Sequence, residues 1–217
     1  MKNNAKIITI SRMYGAGGGE LGRMLQSALN IPLYNKQIVT EVSKRFGINE
    51  NYLKMMDEIV NPFVEAKLLE SLGEESRRVF DADNIFDVKT FYDLQKNTIR
   101  NLSDSGSCIF VGRMADVALS DRQDVISIFL YADKDFRIHR MMDKYHYSHY
   151  HAARLLKKTD KDRNAYCSYY TGREWNDLSN YDFSFNSEKV SLESIADFIV
   201  SKMAVKKYLK PGKGTTL

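Results

Sequence analysis

The chain has 217 residues, 43% of them apolar and 28% charged, with 3 Pro; at roughly 100–200 residues per domain this is one core with room for an inserted lobe. That composition excludes a disordered chain, and no window approaches the roughly 18 uninterrupted apolar residues of a membrane span, so the protein is expected in the cytoplasm. The net charge of +4 is matched by Lys206, Lys207, Lys210 and Lys213; residues 206–217 read as a flexible basic tail, the body is near neutral, and neither membrane nor nucleic acid is expected as a partner.

In chain order, the β-branched run at 6–10 (KIITI) is followed by Gly15, Gly17, Gly18 and Gly19, then by Leu21, Met24, Leu25, Ala28 and Leu29 at helical spacing. That is a strand, a glycine loop and a helix. Between 35 and 105 no strand is predicted; helical patterns at 36–46, 50–59, 62–80 and 89–102 make a stretch too long for a single crossover, and so a helical lobe inserted after the first unit. Short strands recur at 107–111, 125–131 and 181–185, each followed by a helical pattern, which predicts a parallel sheet covered on both faces. Two helices are expected at 133–144 and 149–158, the second capped by Ser148. Residues 166–175 are aromatic and polar without clean periodicity, and 191–203 is a terminal amphipathic helix. Cys108 and Cys167 are too few for a disulfide framework and lack zinc spacing; Cys108 fits a strand interior.

Three constellations carry chemistry. In ITISRMYGAGGGELGRML a glycine loop joins a strand to a helix, so backbone N–H groups and the helix dipole converge on one point, where phosphate is the natural ligand. The loop departs from G-x-x-x-x-G-K-[ST]: Arg12 stands at the first glycine, Gly18 at the lysine and Glu20 near the hydroxyl. Arg12, Arg23 and a residue of the later basic segment are the candidates for the missing charge. Gly17, Gly19 and Gly22 also fit a dinucleotide-binding spacing, but the acidic residue it requires would fall where the helical lobe stands. In CIFVGRMAD the pair Gly112–Arg113 ends a strand at the crevice edge, where Arg113 can grip a phosphate or carboxylate with two parallel bonds and Asp116 lies near. In RLLKKTDKDR, residues 154–163, cations surround Asp160 and Asp162 on a segment able to close over a transferring phosphoryl group; a solvated helix end is the other reading. His146, His149 and His151 do not share a helical face and do not read as a metal site. Tyr166, Tyr169, Tyr170 and Trp175 suit either stacking on a base or packing of that segment on the core.

Taken together, ISRMYGAGGGELGRML, IPLYNKQIV, IFVGRMADV, IFLYADKDFRIHRM, KKTDKDRNAYCSYYTGREW and NYDFSFNS, in order over about 180 residues, resemble the cytidylate kinase-like family of P-loop nucleoside monophosphate kinases. The resemblance implies an α/β P-loop kinase fold over residues 1–205: a parallel core, a helical acceptor lobe at 35–105 and a basic lid at 146–175. It implies ATP and Mg2+ as cofactors, nucleotides as partners, and transfer of the γ-phosphoryl group to a pyrimidine nucleoside monophosphate or a similar small phosphorylated acceptor. Arg12, Gly15, Ala16, Gly17, Gly18, Gly19 and Glu20 would cradle ATP, with Asn186 bordering the adenine. Tyr34, Lys36, Arg113 and Asp116 would meet the acceptor, Arg113, Arg154, Asp160 and Arg163 would serve transfer, and no residue is assigned to a metal. The alternative is a regulatory protein that keeps the fold and binds nucleotides without transferring phosphate.

Overall fold

The computed structural model describes residues 6–51, 53–54 and 88–204. The expected helix at 62–80, the end of that at 50–59 and the tail at 206–217 lie outside the described residues. Residues 50–51 and 53–54 are helical, led by Asn49, whose side chain accepts from the Asn51 amide at 2.9 Å.

Five parallel strands form the sheet: β1 (Ile7–Arg12), β2 (Leu33–Tyr34), β3 (Cys108–Val111), β4 (Val125–Tyr131) and β5 (Phe183–Asn186), in spatial order β2-β3-β1-β4-β5. All are joined by helical crossovers, as parallel pairing requires. β1 lies in the middle because it is apolar on both faces. Ile8 and Ile10 point with Ile109, Val111, Ile126, Ile128 and Leu130 into one layer, while Ile7 points with Cys108, Phe110 and Val125 into the other. Each large apolar side chain so buried contributes about 1.5–3 kcal/mol. β2 is an addition to the sequence reading: two residues are too few to show a period, and the strand exists because it pairs with Ile109 and Phe110.

On one face α1 (Gly18–Leu29) and the terminal helix α7 (Leu192–Ala204) pack against the sheet and each other through Leu21, Leu25, Ile195 and Ile199. The other face carries α2 (Gln37–Phe46), α3 (Val88–Asp104) and the short α4 (Ala115–Ala118). Ile38, Val39 and Val42 of α2 meet Phe91 and Ile99 of α3, so these two helices pack together on that face. Gly47, at φ +68°, ends α2 by donating to the Ser43 carbonyl at 2.9 Å, the left-handed cap that glycine supplies without strain.

α5 (Lys134–Tyr145) and α6 (His149–Thr171) pack together through Ile138, Met141, Ala152 and Leu156. Ser148 caps α6, accepting from the His151 amide at 3.3 Å. One correction falls here: residues 149–171 form a single helix of 23 residues, where the sequence reading has a short helix, a mobile basic segment and an aromatic stretch without period. Its inward face carries Asp160, Arg163, Tyr166, Cys167 and Tyr170, so burial there does not follow hydropathy. No described helix is long and apolar enough to cross a membrane.

Candidate functional site

β1 ends at Arg12 and the chain turns through Gly15, at φ +83°, and Gly17, at φ +94°, before α1 begins at Gly18. The first amides of a helix have no intrahelical acceptor, so this loop directs N–H groups and the positive end of the α1 dipole outward. A Cβ on Gly17 would sit 2.8 Å from Leu192 Cδ1 and 3.1 Å from Arg140 Nη2, so both conformation and space demand glycine. A Cβ on Gly18 would lie 2.7 Å from Arg12 Cγ. The stem of Arg12 therefore fills the direction in which the usual loop lysine would leave the backbone.

The loop floors a cavity of about 470 Å³. Among the described residues its walls carry Arg12, Lys36 and Arg113 from the sheet edge, Arg23 from α1, Arg140 and Lys144 from α5, and Arg163 from α6, against one acid, Glu20. Gly15, Gly17, Gly18 and Gly19 line it too; Ala16 is fully buried beneath. Seven cations facing a helix N-terminus make a site for a highly charged anion. Glu20 is not idle: its carboxylate is bonded to Arg140 on one oxygen and to Lys144 on the other.

Arg113 is held by an unusual turn. Gly112, Arg113 and Met114 have φ of +74°, +57° and +51° in succession, and for the two non-glycine residues the left-handed region costs about 1–2 kcal/mol each. Two anchors keep it. Gly112 donates to the Ile10 carbonyl at 3.0 Å, and Met114 is buried in a cluster with Phe129, Cys167 and Trp175. A Cβ on Gly112 would collide with the Arg12 guanidinium, so the glycine also makes room for that cation. The turn thereby delivers Arg113 from the end of β3 into the cavity. Asp116, one turn on, is directed elsewhere: it accepts from Ser11 Oγ at 3.1 Å and does not line the cavity. Burial raises its carboxyl pKa, while the Ser11 bond opposes the rise.

Asp160 and Arg163 clamp the loop from α6. Asp160 Oδ1 accepts from the Tyr14 amide at 2.7 Å, and its Oδ2 accepts from Arg137 Nη1 at 2.5 Å. Arg137, almost fully buried, also donates to the carbonyls of Tyr14 and Ala132 at 3.1 and 3.0 Å. Arg163 donates to the Arg12 carbonyl at 2.8 Å and sits over the rings of Tyr14 and Trp175. Burial first, then the nearby positive charges of Arg113 and Arg137, lowers the Arg163 pKa to about 10 against the pull of Asp160, which leaves it charged at neutral pH.

The remaining expected residues lie apart from the cavity, except Lys36, which lines it. Arg154 faces a separate groove of about 540 Å³ beside Lys134, Tyr150 and Lys157, so the expected lid arginines are split and only Arg163 reaches the loop. Tyr34 stacks on Phe110 with ring centroids 5.4 Å apart. Asn186 ends β5, and its side chain accepts from the Glu188 amide at 3.0 Å to close the following turn. Tyr166 and Tyr170 pack on Tyr92, and Trp175 on Phe129, which is the packing reading of that aromatic run. Among the described residues no three His, Cys, Asp or Glu side chains are grouped to hold a metal. Absent from the sequence reading are Arg137, Arg140 and Lys144. Their spacing of three and four puts them on one face of α5, a signal present in the RIHRMMDK run.

A protein from Eubacterium ventriosum ATCC 27560, uncharacterized, is 26% identical, with a TM-score of 0.65 over 91% of this chain and 98% of its own. A shikimate kinase from Bacteroides thetaiotaomicron is 14% identical over 92% of this chain and 99% of its own, with a TM-score of 0.49. A gluconokinase from Sinorhizobium meliloti 1021 is 11% identical over 93% and 96%, with a TM-score of 0.48. No curated protein matches the sequence. The model of the cytidylate kinase-like family matches residues 7–189, a span that takes in the glycine loop, the Gly112–Arg113 turn, α5 and α6. On that match, with a parallel five-stranded sheet behind the loop, the chain belongs to the cytidylate kinase-like family.

Proposed function

We propose that the protein is an ATP-dependent phosphotransferase that moves the γ-phosphoryl group of ATP to a pyrimidine nucleoside monophosphate or a similar small phosphorylated acceptor. The observation that carries this reading is the excess of cations around the glycine loop, seven against one carboxylate among the described residues, with Arg113 held among them by a strained turn. Such transfer needs little covalent help from a protein; it needs the two reactants in line and the developing charge neutralised. The loop amides and Arg12 suit the triphosphate. Arg113, on the strand that would follow the acceptor lobe, suits the acceptor phosphate, and Arg163, tied to the Arg12 carbonyl, lines the same cavity. Magnesium would accompany the triphosphate and supply neutralisation of its β and γ oxygens. Small nucleotides, rather than nucleic acid or membrane, are its partners on this reading. Closure of the lysine position by Arg12 supports a second reading, a nucleotide-binding regulator without transfer.

The two readings separate by calorimetric titration of CMP, UMP, dCMP and a non-hydrolysable ATP analogue with magnesium into wild type and Arg113→Ala. Losing a bidentate charged contact costs about 1.5–3 kcal/mol, so the variant should bind the acceptor roughly one to two orders of magnitude more weakly and the triphosphate nearly as before. Arg113→Lys should recover only part, since an ammonium does not reproduce the fork. Equal losses for both ligands would move Arg113 into the triphosphate site. A wild type that binds the triphosphate but no monophosphate would favour the regulator.

A further inference from the structure

We propose that Arg140 of α5 supplies the phosphate-binding charge that a loop lysine would otherwise provide, and that Glu20 is the internal counter-ion it gives up when a polyphosphate binds. The inference rests on the reading of the cavity as a polyphosphate site and adds the residues that work it.

A lysine at position 18 has no path, because Arg12 Cγ stands 2.7 Å from where its Cβ would be. The charge has to come from outside the loop. Arg140 is the group that reaches over the crest: its Nη2 lies 3.1 Å from the Cβ position of Gly17, the residue that caps α1. Arg12 is braced against Gly18 and Gly112, and Arg163 is tied to the Arg12 carbonyl, whereas Arg140 pairs with a side chain, Glu20, that is itself about a quarter exposed. Glu20 belongs to the first turn of α1, where an anion is favoured by the helix dipole. Its carboxylate thus occupies the very electrostatic environment that a phosphate would seek, and it draws both Arg140 and Lys144 towards it.

An incoming polyphosphate meets this carboxylate as a like charge and this guanidinium as an opposite one. Exchange is favourable when the ligand carries more charge than the carboxylate it displaces, since Arg140 then trades one oxyanion for a stronger acceptor while Lys144 stays to neutralise Glu20. Rotation of one side chain suffices. A singly charged or neutral ligand lacks the charge to win the exchange, so the pair makes the site selective for polyanions. Placement on α5 also ties this charge to the loop's support, because Arg137, one turn earlier on the same face, holds the Tyr14 carbonyl and Asp160.

The test is calorimetric titration of inorganic tripolyphosphate, free of base and metal, into wild type, Arg140→Ala, Glu20→Gln and the double variant, with melting temperatures as the folding control. Arg140→Ala should weaken binding roughly ten- to a hundredfold, the range for a lost charged contact. Glu20→Gln should strengthen it roughly three- to tenfold, because the competing charge is gone. In the Arg140→Ala background the Glu20→Gln gain should shrink, which is the coupling that an exchange requires. Arg140→Lys, which keeps the charge and the fold, should recover part of the affinity. Weaker binding in Glu20→Gln would overturn the proposal, since Glu20 would then be assisting the ligand. So would Arg140→Ala with wild-type affinity, or both single variants losing affinity in step with stability, which would make the pair a brace. If wild type binds tripolyphosphate and Arg140→Ala binds it as well, only this inference fails; if wild type binds no polyphosphate, the proposed function fails with it.

Discussion

Arg100 and Arg122, at the amino-terminal end of the sheet, are closed off by carboxylates, whereas the arginines at the opposite end converge on open space. Arg122 donates to both oxygens of Asp124 at 2.9 and 2.7 Å and to Asp104 at 2.5 Å; Arg100 forms a two-pronged pair with Asp121 at 2.8 Å on each prong. The Arg100 pair holds the Asp121 carboxyl down to about 2, and the Arg122 bond lowers Asp124 as well. In the cavity at the carboxyl-terminal ends of the strands, one acid faces seven cations among the described residues. Charge that is matched residue for residue holds chain segments together; charge left in excess on a pre-shaped surface is a standing cost that a ligand relieves. The residue type is the same at both ends. Only the surroundings tell an anchor from a site.

The sharpest way to break this contrast is at Asp160, which joins the two kinds of role by using charge to hold the glycine loop. Asp160→Asn keeps an acceptor for the Tyr14 amide but leaves the buried Arg137 without its counter-charge. It should cost about 2–3 kcal/mol, or roughly 5–10 °C in melting temperature, and weaken triphosphate binding through a loosened loop. Thermal unfolding with and without tripolyphosphate checks this. A variant that loses binding while keeping full stability would mean that Asp160 touches the ligand and is not a brace.

Asp116 gives a smaller effect with a defined pH course. Its folded pKa lies above the ordinary carboxylate value, so the native state binds its proton more tightly than the unfolded chain and stability falls as pH rises past about 4. Asp116→Asn can still accept from Ser11 Oγ and carries no charge to desolvate. Its melting temperature should exceed that of wild type at pH 7, with the gap closing below about pH 4. A gap that widens on acidification would reverse the assignment.

Least of all is expected from Arg122→Ala. Its acids are partly exposed, so the loss should be about 1 kcal/mol, with polyphosphate affinity unchanged. Because Asp124 is held below its ordinary value by Arg122, this contribution is complete above about pH 4 and fades as the pH falls below it. Urea titrations at pH 7 and pH 3 measure it, and any change in polyphosphate binding would erase the distinction between the two ends of the sheet.

What the sequence by itself determined is what local pattern encodes. Four of the five strands, the loop-to-helix junction at Gly15–Gly19, the Ser148 cap and the position of Arg113 at a strand end follow from side-chain period and backbone permissiveness, which depend on neighbours in the chain. Two things were decided by the tertiary structure. β2 and the continuous α6 exist because a partner strand and the loop's own backbone reward them, through Ile109 and Phe110 for the one and Tyr14 and Arg12 for the other. The site's charges were decided the same way. Arg12 and Arg140 lie 128 positions apart and meet over one glycine loop, while Arg154, nine residues before Arg163 on the same helix, faces another groove. Nine residues are two and a half helical turns, which puts the two arginines on opposite sides of α6; a charge run in a sequence has no sides until the helix is docked.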